Sequence, residues 1–262
     1  MISGTTKIFY MVAHPIHHVR TPEIINPLFR KRDLNAVMVP IHLSREDFKL
    51  GWEAMKRTRN LGGVVVSVPF KERAFDLADE VEASAGELGA ANVVRREEDG
   101  RMIATNLDGR GFLDGVLNGG TDARGRDALV VGAGGAGKAI AFALAKCGVR
   151  SLRVDDVEAA RVEDLVGRVQ TAYPALNVGK APADLSSINL VVNATPCGLN
   201  PDSDPLPVDG SKLRSDILVA DIIMKPRETP LLKAAIATGC DIRYGAGMLD
   251  AQIDLMVAYF GY

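Results

Sequence analysis

The residues best placed to do chemistry are six in a row, Gly132-Ala133-Gly134-Gly135-Ala136-Gly137, following the apolar run Leu129-Val130-Val131. Glycines at the first, third and sixth places suit a strand that turns sharply into a helix. Gly132 makes the turn, Gly134 lets main chain approach a pyrophosphate, and Gly137 lets helix pack on strand. Main-chain amides and the positive end of the helix would then face an anion. A second apolar run, Leu152-Arg153-Val154, ends in Asp155 and Asp156, about 20 residues beyond the turn, where an acid accepts the ribose hydroxyls of a dinucleotide and repels a 2′-phosphate. That charge favours NAD over NADP. We expect Asp155 to hold the ribose and Asp156 to cap the next helix, a position aspartate favours.

The elements that must position this turn are written in the apolar pattern. Short runs rich in Val, Ile and Leu alternate with longer stretches whose apolar residues fall three or four apart, the rhythm of an α/β fold with a mostly parallel sheet. In the first part, strands are expected at Lys7–Ala13, Ala36–Ile41, Gly63–Val68, Asn92–Arg95 and Met102–Ala104, and helices at Pro22–Arg32, Arg45–Arg59 and Lys71–Ala78. From Asp127 the pattern predicts strands at Ala128–Val131, Leu152–Asp155, Leu190–Asn193, Leu218–Ile222 and Asp241–Arg243, with helices at Ala136–Lys146, Val157–Thr171 and Leu231–Thr238. The last segment, Met248–Phe260, sets Leu249, Ile253, Met256, Val257 and Phe260 on one helical face, which predicts a return to pack on the first domain.

Composition limits the function classes. The chain has 262 residues, enough for one large domain or two modest ones. Lys and Arg total 31 against 33 Asp and Glu, a net charge of −2, which gives nucleic acid no basic footprint. No apolar run reaches the roughly 18–20 residues of a membrane span, and the first residues lack the order of a secretory signal. A cytoplasmic protein is expected. Cys147, Cys197 and Cys240 are far apart, and His14, His17, His18 and His42 lack ligand spacing, so neither a disulfide framework nor a metal site is expected.

Further short segments, in order along the whole chain, resemble the shikimate/quinate dehydrogenase family. They are His14-Pro15-Ile16-His17-His18-Val19-Arg20-Thr21-Pro22, Gly63-Val64-Val65-Val66-Ser67-Val68-Pro69-Phe70-Lys71, Gly89-Ala90-Ala91-Asn92 and Asn106-Leu107-Asp108-Gly109. After the glycine turn come Asn193-Ala194-Thr195-Pro196-Cys197-Gly198-Leu199, Lys225-Pro226-Arg227-Glu228-Thr229-Pro230-Leu231-Leu232 and Gly247-Met248-Leu249-Asp250-Ala251-Gln252. The resemblance implies a two-domain α/β protein. An N-terminal substrate domain, residues 1–105 completed by 240–262, would flank a Rossmann-like, doubly wound dinucleotide-binding domain, residues 106–239. It implies Lys71 and Asp108 as the catalytic pair. A lysine in a partly dry cleft can exchange the proton of a secondary alcohol while a neighbouring carboxylate orients it. Asn92 and Gln252 would hydrogen-bond the ring hydroxyls of a hydroaromatic acid, since an amide offers both donors and an acceptor. Thr21 and Ser67 would also face the substrate. On the cofactor side the resemblance adds Asn193, Thr195, Pro196 and Gly247 to Gly132–Gly137 and Asp155. A small-molecule substrate and a homodimer are the expected partners.

The departures from the family pattern concern the carboxylate end of the pocket. The usual Ser-x-Ser-Pro reads Val19-Arg20-Thr21-Pro22, and Val65-Val66-Ser67 stands where an asparagine precedes Val-Thr. Leu107 replaces a threonine and Met224 a tyrosine. Each lost donor to a carboxylate is worth about 1.5–3 kcal/mol, and His18 or Arg20 could compensate with positive charge. Asp155-Asp156-Val157 replaces the Asn-Arg-Thr of NADP-using relatives, in keeping with NAD. Shikimate, quinate, an aminoshikimate-type compound or another cyclic alcohol all remain open as substrates, as does a non-catalytic NAD-binding protein with a diverged pocket.

Overall fold

The β-branched and aromatic run Lys7–Ala13 (β1) forms a strand in the first of two sheets, beside Ala36–His42 (β2) and Leu61–Val66 (β3). Between these strands lie helices Thr21–Lys31 (α1) and Phe48–Arg57 (α2). Pro22 opens α1, where its missing N–H costs nothing. The Asn26 side chain clamps α1 to β2 by bonding both the N–H and the C=O of Met38 at 2.8 Å. Lys71–Leu77 (α3), Glu80–Val81 (β4), Ala83–Leu88 (α4), Val93–Arg96 (β5) and Met102–Thr105 (β6) follow. The computed structural model describes residues 2–17 and 19–262.

The sheet order is β2-β1-β3-β5-β6-β4, and the sheet is mixed rather than mostly parallel. β1 runs parallel to β2 and β3, while β5 is antiparallel to both β3 and β6. Val65 and Thr105 both lie opposite Val93. The ends of β3 and β6 therefore share one sheet edge with the start of β5. Phe48, Trp52 and Phe70 fill the core behind it, with Phe48 and Phe70 stacked at 4.4 Å.

The second sheet is wholly parallel. Asp108–Val116 (α5) leads to Asp127–Val131 (β7), Gly135–Cys147 (α6), Ser151–Asp155 (β8), Ala159–Ala172 (α7), Asn177–Lys180 (β9) and Leu190–Asn193 (β10). Leu218–Asp221 (β11), Pro230–Thr238 (α8), Asp241–Tyr244 (β12) and Ala246–Tyr259 (α9) complete it. The order β12-β11-β10-β7-β8-β9 is the doubly wound arrangement, with its switch point between β7 and β10. Every residue of β10 and β11 is buried, as expected of strands covered on both faces.

The chain divides into two units, one ending at Leu107 and regaining Ile253–Tyr262, the other Asp108–Gln252. The boundary expected at residue 240 is thus displaced. β12 pairs in register with β11, which holds Asp241–Tyr244 in the second unit. The crossing falls inside α9, whose end packs as its apolar face predicts, Phe260 lying 4.5 Å from Phe9. No helix among the described residues is long and apolar enough to cross a membrane, and the three cysteines are free thiols.

Candidate active site

The glycine turn is shaped by what surrounds it. Gly132 has φ +103, and a Cβ there would stand 2.9 Å from the carbonyl of Ala194. A Cβ on Gly137 would meet the Gly132 oxygen at 1.7 Å, whereas Gly134 and Gly135 have nothing within 4 Å of a built Cβ. Gly132 and Gly137 are therefore required by packing, while Gly134 and Gly135 leave open space. α6 starts at Gly135, has no side-chain cap and no acid in its first turn, so its amino end is set up for an external anion.

Of the two adjacent acids, Asp156 is the one that meets this turn. Its Oδ2 accepts the Ala133 N–H at 2.7 Å and its Oδ1 the Glu158 N–H at 2.9 Å. Asp156 does not cap the next helix as expected. Glu158, not Asp156, is the N-cap residue of α7, and Asp155 gives the turn only its carbonyl, which accepts the Gly132 N–H at 2.7 Å. Asp155 is exposed and borders a cavity of about 410 Å³ with Ala181, Asp184, Leu206 and Lys212. Leu152 and Val154 are buried while Arg153 and Asp155 are not. Strand alternation, carried one residue further, points to Asp156. Val157 beside it is fully exposed.

The loop after β10 forms the other wall of the turn. Asn193, expected to touch the cofactor, has no exposed surface. Its Oδ1 accepts the Thr195 N–H at 3.0 Å and the Thr195 hydroxyl at 2.7 Å, and its Nδ2 donates to the Cys197 carbonyl at 3.2 Å and to Asp221 at 3.1 Å. Asn193 thus shapes the loop from beneath, leaving Thr195 and exposed Pro196 on its outer side. Sequence reasoning passed over Asp221, a fully buried acid at the end of β11 whose carboxyl is pushed up by burial. Gly247 is close-packed too: a Cβ there would lie 2.1 Å from the Gly115 oxygen of α5.

Asp108 and Gln252 come together within the second unit. Gln252 Nε2 donates to Asp108 Oδ1 at 3.1 Å, and both side chains are buried. Gly111 makes the room, since a Cβ there would fall 2.3 Å from Gln252 Cγ.

In the first unit the expected residues gather on the sheet edge where β1, β3 and β6 end. Thr21 is buried at the start of α1, Ser67 follows β3, and Lys71 opens α3. The Lys71 carbonyl accepts the Ala91 N–H at 2.9 Å, tying α3 to the segment that carries buried Asn92. Asn92 Oδ1 accepts the Leu107 N–H at 2.8 Å. Thr105 and Asn106, assigned no role from the sequence, brace the same edge: Thr105 hydrogen-bonds Ser84 at 2.9 Å, and Asn106 donates to the Ala90 carbonyl at 3.0 Å. Val65, where the family carries an amide, is buried in β3. Arg20 pairs with Glu23 of its own helix at 3.7 Å. His18 lies outside the described residues.

Residues 11–94 match the family model for the shikimate dehydrogenase substrate binding domain. An NADP+-dependent shikimate dehydrogenase from Rubrobacter xylanophilus is 34% identical over 259 residues, 96% of this chain and 89% of the relative. Quinate dehydrogenase from Corynebacterium glutamicum, solved with NAD, superposes with a TM-score of 0.87 at 30% identity, covering 98% of this chain and 94% of that one. Shikimate 5-dehydrogenase from Listeria monocytogenes, solved with shikimate and NAD, gives 0.91 at 26% identity over 99% and 93% of the two chains. The chain belongs to the shikimate dehydrogenase family.

Proposed function

We propose that this chain is an NAD-dependent dehydrogenase that interconverts a secondary alcohol and a ketone on the ring of a hydroaromatic acid, shikimate or a close analogue. The observation that carries the reading is the Asp156 carboxylate bonded to the Ala133 amide of the glycine turn, with uncharged, exposed Val157 next to it. Ribose hydroxyls can donate to that carboxylate. A 2′-phosphate would meet its negative charge and an aliphatic side chain where a cation is needed. This reading gives the chain the cofactor with which the Corynebacterium and Listeria proteins were solved and not that of its NADP+-dependent relatives.

The dinucleotide would supply the hydride acceptor when bound, held by Gly132–Gly137 at its pyrophosphate and by Thr195, Pro196 and Gly247 elsewhere along its length. Lys71 takes the hydroxyl proton during oxidation and returns it to the carbonyl during reduction. Asp108, its Oδ1 fixed by Gln252, orients the alcohol. Asn92 and Gln252 hold ring hydroxyls, and Thr21 and Ser67 donate to the carboxylate. With Val19 in place of one hydroxyl, binding at that end is weaker, so KM for a carboxylate substrate should be high.

The test is an assay of shikimate, quinate and other cyclic alcohols with NAD and with NADP, on the wild type, Lys71→Ala and Asp156→Ala. Turnover with NAD that falls at least 10²-fold in Lys71→Ala while NAD still binds supports the reading. Asp156→Ala should lose the preference for NAD. Equal or better use of NADP by the wild type overturns the cofactor assignment. Tight NAD binding with no turnover of any alcohol makes the chain a binding protein.

A further inference from the structure

Asp221 is costly where it stands, because a carboxylate without exposed surface needs compensation. Among the described residues it receives three hydrogen bonds, all from uncharged donors. They are Ile223 N–H at 3.0 Å on Oδ1, and Asn193 Nδ2 at 3.1 Å and the Thr229 hydroxyl at 2.7 Å on Oδ2. Thr229 also caps α8 through the Leu232 N–H. Asn193 is paired with Asp221 across β10 and β11.

An amide side chain can point either way, but a carboxylate only accepts. Asp221 therefore selects the orientation of Asn193: Nδ2 must face Asp221, and Oδ1 must face Thr195. From that choice follow the bonds to the Thr195 N–H and hydroxyl, and the bond from the Cys197 N–H to Thr195 Oγ1 at 3.1 Å. The turn so fixed lies against the glycine turn. A Cβ on Gly132 would be 2.9 Å from the Ala194 carbonyl and 3.0 Å from Thr195 Cγ2. Asp204 holds the outer side, accepting the Gly198 and Asn200 N–H groups at 2.9 Å.

We infer that Asp221 is a positioning residue for the dinucleotide: by orienting Asn193 it sets the Ala194–Gly198 turn as the wall against which the cofactor lies. The inference rests on the dinucleotide reading above and adds to it a residue that touches no ligand.

The experiment compares the full chain with Asp221→Asn, Thr195→Val, Thr195→Ser and Ile217→Ala. The last removes core packing at the opposite end of β11, where Ile217 is buried. Calorimetry reads NAD affinity, hydrogen exchange of the ligand-free protein reads the Thr195, Cys197 and Gly198 amides, and thermal denaturation reads stability. Asp221→Asn and Thr195→Val are expected to lose amide protection and bind NAD about tenfold more weakly, the worth of one charge-assisted or two neutral hydrogen bonds. In Asp221→Asn the KM for the alcohol should stay within about twofold. Thr195→Ser, which keeps the hydroxyl, should retain the amide protection that Thr195→Val loses, and Ile217→Ala should lose stability with no change in affinity. If Asp221→Asn does not fold, the Thr195 pair decides. Wild-type affinity in Asp221→Asn or Thr195→Val overturns the inference alone, as does an equal loss in Ile217→Ala. A wild type that binds neither NAD nor NADP overturns both readings.

Discussion

The two halves of the chemistry are made of different material. Around the glycine turn, the groups offered to a ligand are main-chain amides, and the residues that shape them act through the absence of a side chain, as Gly132 and Gly137 do. On the edge of the first sheet and at the start of α5, the groups we propose for the substrate are side chains: Thr21, Ser67, Lys71, Asn92 and Asp108. A site built from backbone is written into the fold and tolerates little change, because altering it means moving the chain. A site built from side chains can change its chemistry while the fold stays put. The departures at Val19, Val65 and Leu107 all fall in the motifs that carry the second kind.

The largest effect that could break this contrast is at the glycines. Gly137→Ala should fail to fold or lose most of its thermal stability, since nothing but main chain stands 1.7 Å from the added methyl. Gly134→Ala should denature near the wild-type temperature yet bind NAD at least tenfold more weakly, through steric exclusion of the pyrophosphate. Equal stability of the two variants would show that the backbone site is more plastic than its packing indicates. A smaller effect is expected on the side-chain site. Gln252→Ala frees the Asp108 carboxylate from its guide and should reduce kcat/KM for the alcohol by roughly a hundredfold, with NAD affinity unchanged in calorimetry. A change in NAD affinity instead would mean that the two sites are not separable.

The smallest effect concerns acid stability, and it treats the two units separately. In the first, burial alone would raise the Asp79 carboxyl, but the Lys56 ammonium and the Met102 N–H outweigh it and hold it below the usual range. In the second, the Arg150 guanidinium holds Asp127 low, against burial and with help from the Ser151 hydroxyl. Folded-state values below the unfolded ones stabilise the protein above the ordinary aspartate range, and that stability is lost as pH falls through it. Asp79→Asn should lower the neutral-pH melting temperature by a few degrees and flatten the acid limb. Trp52, the single tryptophan, is buried in the first unit, so its fluorescence should follow Asp79→Asn and ignore Asp127→Asn. Fluorescence that responds alike to both would show that the units unfold as one.

How much of this was legible in the sequence follows the same division. The glycine turn and the strands of the second sheet could be read because their constraints are local: apolar runs covered on both faces, and glycines at fixed offsets. α5 was not, because Gly109, Gly111 and Gly115 argue against a helix. They are there for close approaches to Ala139, Gln252 and Gly247, and so to residues far along the chain. The half-exposed edge strand β9 gave too weak a pattern. The unit boundary was misplaced because α9 crosses it without a break in helical rhythm. Which of Asp155 and Asp156 meets the glycine turn was not legible, because motif spacing is blind to a one-residue difference that decides which face a side chain takes. Asp221 gave no signal, since its value lies in partners brought together only by strand pairing.

The unequal surroundings of Gly134 and Gly137 bear on how such a turn would decay. In a lineage that had given up its nucleotide, folding would go on purging every replacement at 137, while mutations at 134 would drift in unopposed. Retention of the sixth glycine is thus testimony about architecture, and only retention of the third is testimony about a ligand.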